Sequence, residues 1–263
     1  PVGNLFDTIP FIVATGGFVV IIIELLTRKG LASGIGAVFG IFGVFLALRY
    51  EAGTGQDTMT PLIAVLRSNY WLTTHVITVT LGYMGALLAA AISHVYLLGR
   101  VTGLDNGDKK LRRVLTRMTY GVIGFALLFS IVGTILGGVW ANDSWGRFWG
   151  WDPKENGALM IVLMNLIILH ARAGGVVKEF GLHILSVFGA VVVGFSWWGV
   201  NMLGVGLHSY GFTDGARTLY LFYGVELIFI AVALAAHKLS GKGQGPQATP
   251  KKPAEPPKGL EVS

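Results

Sequence analysis

The chain of 263 residues contains no cysteine and few charges: 13% of its residues are Asp, Glu, Lys or Arg, against 53% hydrophobic. Without cysteine there is no Cys-ligated metal, no catalytic thiol and no internal disulfide. Soluble domains carry about a quarter charged residues. Half that density cannot cover a water-facing surface, which excludes a soluble enzyme. No repeat of fixed period is visible. The mean hydropathy of +0.64 points to a polytopic membrane protein. Glycine supplies 38 residues, as expected where membrane helices pack closely. The pI near 9.6 could suggest nucleic acid, but the basic residues sit at the ends of apolar runs. They read as lipid-side charge, and no nucleic-acid partner is expected.

A hydrocarbon core of roughly 30 Å needs about 20 apolar residues in a helix. Seven such runs stand at 9–26, 31–50, 71–98, 119–139, 157–172, 182–200 and 217–237. The first contains Glu24 and no small-residue cleavage site follows it, so it reads as a span and not as a leader. The fold expected is an all-α bundle of about seven transmembrane helices. It divides into two N-terminal helices (1–66), a five-helix core (67–240) and a tail (241–263). The tail is rich in Pro, Lys and Gly, almost without large apolar residues, and is expected to be disordered. With the N-terminus outside and the C-terminus cytoplasmic, 15 Lys and Arg fall inside and 5 outside. The positive-inside rule favours that orientation. The basic connection Arg100 to Arg117 is suited to anionic lipid headgroups.

The outer connections hold the unusual chemistry. Trp140, Trp145, Trp149 and Trp151 are four of the seven tryptophans and fall within twelve residues. An interfacial belt explains one or two of them. Four, interleaved with Gly146 and Gly150, suit a flat apolar ligand. Asp152 and Glu155 flank Pro153 and Lys154; they read first as the start of a helix, and second as ligand or partner contacts. Indoles supply no strong metal ligand, so a haem on this platform needs histidines. His75 and His208 lie on the same side as the tryptophans and suit a bis-histidine iron site. Each alone would be an ordinary interfacial residue. His94, His170, His183 and His237 lie toward the inner side, where most are expected to be structural. Glu226 lies near mid-depth in the last span, with no partner evident from the sequence.

The run Trp145-Gly-x-x-Trp149-x-Trp151-Asp152-Pro153-Lys154-Glu155 resembles the WWD signature of haem-handling proteins in cytochrome c maturation. Leu169-His170-Ala-Arg172 and Gly206-Leu-His208-Ser-Tyr-Gly narrow the resemblance to the CcsA (ResC) type, the membrane subunit of the System II cytochrome c synthase. It covers roughly residues 70–225; the first two spans carry no signature.

The resemblance implies a haem lyase-type synthase acting with a CcsB (ResB) type partner. Haem b is the ligand. His75 and His208 hold its iron at the outer face, with Trp145, Trp149, Trp151 and Asp152 around the ring. His170 meets haem on the inner side. The apocytochrome brings a C-x-x-C-H segment whose two thiols add to the haem vinyl groups, so this chain has no catalytic nucleophile and acts by positioning. The membrane expected is the bacterial cytoplasmic membrane, ahead of the plastid thylakoid. The alternative is a haem transporter or chaperone loader without bond-making activity. An electron-transfer b-type cytochrome fits less well, because its histidines usually pair at mid-depth.

Overall fold

A computed structural model describes residue 2 and residues 5–54, 68–208 and 216–242. Seven long helices make up the described chain: α1 (Leu5–Thr27), α2 (Leu31–Thr54), α3 (Asn69–Thr102), α4 (Lys109–Trp145), α5 (Pro153–Ala173), α6 (Glu179–Trp197) and α7 (Ala216–Lys242). A 3-10 segment, Gly199–Leu203, follows α6. Each of the seven is long and apolar enough to cross a membrane, and no strand occurs among the described residues. The expected disordered tail lies, beyond Lys242, outside the described residues.

α3 is the central helix. It packs most extensively on α4 and then on α6, while α1 and α2 pair with each other and also pack on it. Lipid-facing helices keep large apolar side chains outside, as at Phe18, Leu26, Phe42, Phe45 and Ile228. Without a hydrophobic force between helices in lipid, close backbone approach has to hold them together. Glycines provide it along the α3–α4 seam. A Cβ on Gly82 would come within 2.5 Å of Ser130 Oγ, and one on Gly133 within 2.7 Å of Val79 Cα. The Gly133 contact is backbone, so a methyl there cannot be accommodated by a rotamer change. Gly133→Ala is therefore expected to cost about 1–3 kcal/mol and to lower the thermal midpoint in detergent. An unchanged midpoint would show that the seam is looser than this.

Polar groups fix the turns at the basic end. Glu24 accepts from the backbone N–H groups of Gly30 (2.6 Å), Ala32 (3.1 Å) and Ser33 (3.3 Å), and so caps the start of α2. Asp108 caps α4 through the N–H groups of Lys110 and Leu111, and Asp105 pairs with Arg112. Within the bundle, His183 is fully buried. Its Nδ1 lies 2.9 Å from Ser93 Oγ, its Nε2 lies 3.2 Å from Thr116 Oγ1, and its ring stacks on Tyr96. Glu226 does have a partner: its carboxylate faces His94 Nε2 at 3.0 Å, joining α7 to α3. His237 stacks on Phe180.

The alternation of helix directions gathers the starts of α1, α3 and α5 with the ends of α4 and α6. The basic turns lie at the opposite end. This is the step that turns a bundle into a site.

Candidate functional site

A cavity of about 190 Å³ opens at the non-basic end, between the start of α3, the end of α4, the start of α5 and the segment after α6. His75 and His208 both line it, with Trp140, Trp145 and Trp149. Thr8 of α1 and Trp197 of α6 complete one wall, and the Trp197 indole N–H donates to Thr8 Oγ1 at 2.9 Å.

His75 sits in a π-helical turn, Leu72–Val76, inside the first part of α3. Such turns are rare and concentrate at functional positions. Its Nδ1 lies 2.8 Å from the Gly133 carbonyl oxygen. A carbonyl can only accept, so Nδ1 carries the proton and the lone pair is on Nε2. Trp140 meets the imidazole edge-on at 5.6 Å, and Trp71 stacks on Trp140 with the rings 10° from parallel. Gly137 leaves room for this ring: a Cβ there would lie 2.7 Å from His75 Cε1.

His208 is held by the residue that starts α5. Its Nδ1 lies 3.0 Å from Asp152 Oδ1, and its backbone N–H donates to Asp152 Oδ2 at 3.3 Å. A carboxylate oxygen can only accept, so a proton on Nδ1 suits this pairing and leaves the lone pair on Nε2. Trp145 meets this ring at 4.8 Å and 90°. Burial keeps the His208 imidazole below its ordinary value, although the adjacent carboxylate pulls the other way. Burial acts to raise Asp152, but His208 and the N–H groups of Lys154 and His208 outweigh it, so the carboxyl stays below its usual range.

Asp152 also starts α5. It accepts from Lys154 N at 2.9 Å, and Glu155 reaches back to Asp152 N at 3.1 Å, which makes a capping box with Pro153 at the first helical position. Glu155 accepts from Gly150 N at 2.7 Å as well, so it pins the tryptophan loop to the helix. The two readings of Asp152 open at the sequence level, capping or site contact, coexist in one carboxylate. Gly206 makes this possible. Its φ is +89°, and a Cβ there would lie 2.1 Å from Asp152 Oδ2.

The remaining residues singled out in the sequence fall elsewhere. Trp151 does not line the cavity; it is 69% exposed, has φ +57°, and stands edge-on to Trp149 at 5.9 Å. His170 lies in the last turn of α5 at the basic end, exposed, with Nδ1 2.8 Å from the Leu166 carbonyl oxygen. Several lining residues had not been singled out from the sequence: Thr8, Lys154, Trp197 and Asn201. Trp71 precedes His75 by four residues, one helical turn, and that spacing was the available signal for it.

The sequence pattern of the family described as "Cytochrome C assembly protein" matches residues 2–208. The chain belongs to that family. Relatives named "Cytochrome c biogenesis protein CcsA" agree along most of its length. The one from Chlamydomonas reinhardtii is 31% identical over 218 residues, which is 81% of this chain and 61% of that protein. The one from Guillardia theta is 31% identical, covering 81% of this chain and 77% of the relative. A Synechococcus relative is 27% identical, covering 80% and 78%. The chain thus spans less than two thirds of the Chlamydomonas protein. Membership in the cytochrome c assembly family gives the chain a role in cytochrome c maturation. The match also takes in α1 and α2, where the residues carried no visible signature.

Proposed function

We propose that the chain binds haem b in this cavity and presents it for thioether attachment to the C-x-x-C-H segment of apocytochrome c, in complex with a CcsB (ResB) type partner. One observation carries the reading. Two imidazoles, each with Nδ1 against an acceptor-only oxygen, line a single indole-walled cavity. That arrangement supports axial ligation of one iron by His75 and His208. Trp140, Trp145 and Trp149 supply apolar ring surface for the macrocycle. Bond making uses the substrate's own groups: each cysteine S–H adds across a vinyl C=C, with no net oxidation and no leaving group. The protein contributes orientation. His170, at the basic end, is the proposed entry contact for haem. The positive-inside rule supports a cytoplasmic placement of that end, which would put the cavity at the outer face of the membrane, proposed to be the bacterial cytoplasmic membrane.

Protons compete with iron for imidazole, and the direction follows from His208. Its folded value lies below the 6.5 of an ordinary imidazole, so the neutral, ligating form persists down to at least that pH. Asp152, held below 3.8, stays ionised over the same range. Haem affinity is expected to hold on acidification to pH 7 and to fall only below about pH 6.5. Spectrophotometric titration at each pH checks this; a decline starting above pH 7 would contradict it.

The function is tested by co-expressing the chain with its partner and a C-x-x-C-H reporter, with no other maturation factor. Covalent haem on the reporter is the expected result. Haem transfer without thioethers would instead support a loader.

A further inference from the structure

Lys154 brings a positive charge into the cavity wall. Its ammonium donates to the Trp197 carbonyl and to Asn201 Oδ1, both at 2.9 Å. Both partners are neutral. Among the described residues Lys154 forms no ion pair, whereas the nearby Arg147 faces Glu155 at 3.5 Å. Asn201 is itself buried and braced, donating from Nδ2 to the same Trp197 carbonyl at 3.0 Å. An ammonium has three N–H donors, and two are accounted for. A cation held in an apolar wall on neutral acceptors alone is costly unless an anion completes its surroundings. The Asp152 carboxylate acts on it only from beyond ion-pair distance, its oxygens being engaged by the α5 cap and His208.

We propose that Lys154, braced by Asn201, anchors a carboxylate of the bound tetrapyrrole and thereby sets which edge of the macrocycle faces the apocytochrome. The inference rests on the haem-binding reading above. Haem b carries two propionates along one edge and its vinyl groups away from it. An anchor on the propionate edge therefore selects the direction in which the vinyl carbons point. The histidines fix the iron but leave rotation about their common axis open. A single off-axis charge contact removes that freedom, so thiols arriving from one side meet vinyl groups and not propionates.

The test uses the full chain in detergent micelles with two pairs of probes: haem and haem dimethyl ester, and metal-free protoporphyrin IX and its dimethyl ester. Binding is followed by quenching of tryptophan fluorescence. The metal-free pair removes iron ligation from the comparison. The wild-type chain is expected to prefer each diacid over its diester by about tenfold to a hundredfold. Lys154→Met, similar in length and neutral, is expected to bring the pair to within about threefold while keeping the bis-histidine spectrum with haem, and Lys154→Arg to retain the preference. Equal binding of diacid and diester by the wild-type chain overturns the anchor, as does an undiminished preference in Lys154→Met. The wild-type comparison needs no variant, so a Lys154→Met chain that fails to fold leaves the test decisive. Failure of the wild-type chain to bind haem at all would instead overturn the haem-binding reading.

Discussion

His208→Ala is expected to lower haem affinity by more than about a hundredfold and to abolish covalent cytochrome c formation. Removing a residue that merely orients a ligating histidine already costs 10–100-fold, and here the ligand itself is lost. The fold should survive. His208 follows the 3-10 segment, outside every long helix, where it meets Asp152 and Trp145. His75→Ala is expected to act with similar size, although it also removes the bond to Gly133 that ties the start of α3 to α4. The measurements are haem content per purified chain and haem-stained cytochrome c yield, beside the thermal midpoint. Full haem content in both variants would refute the site.

The second large effect concerns Asp152, whose two tasks can be separated. Serine is a good N-cap, so Asp152→Ser preserves a group able to accept from the start of α5. Its side chain is one atom group shorter and withdraws the carboxylate from His208. A 10–100-fold loss of haem affinity is expected, with little change in thermal midpoint. Asp152→Ala removes both tasks and should add a capping loss of about 1 kcal/mol. If Asp152→Ser binds haem as the wild-type chain does, the His208 contact has no part in ligation and the carboxylate is only a cap.

How much of this was legible in the sequence differs by element. The seven spans followed from hydropathy, because lipid demands about 20 apolar residues wherever it meets a helix. Most helix ends were not legible from it for the same reason: hydropathy reports only what lies in hydrocarbon. The clearest case is α4, expected over 119–139 and found over Lys109–Trp145. At 1.5 Å per residue its 37 residues extend about 55 Å, well beyond the membrane core. Trp140 and Trp145 are thus on the last turns of a helix and not in a loop, and that is what fixes each beside its imidazole. Cavity residues from distant helices, such as Thr8 and Asn201, bear no local pattern at all. Their place depends on which helix ends meet, and only the packing of α1 and α6 around α3 brings them to the cavity. The pairing of His94 with Glu226 was hidden in the same way, since 132 positions separate the two residues. Asp152 and Glu155 were readable as a helix start, because capping is local chemistry written in adjacent residues.

The most direct test of the account is the ferric haem spectrum of the purified chain, taken before and after adding free imidazole. The wild-type chain is expected to give a six-coordinate low-spin spectrum with two imidazole ligands. His75→Ala and His208→Ala should each shift it toward high spin and lower content, and added imidazole should restore the low-spin form in each. A bis-imidazole spectrum that persists unchanged in either single variant would mean that His75 and His208 do not grip one iron.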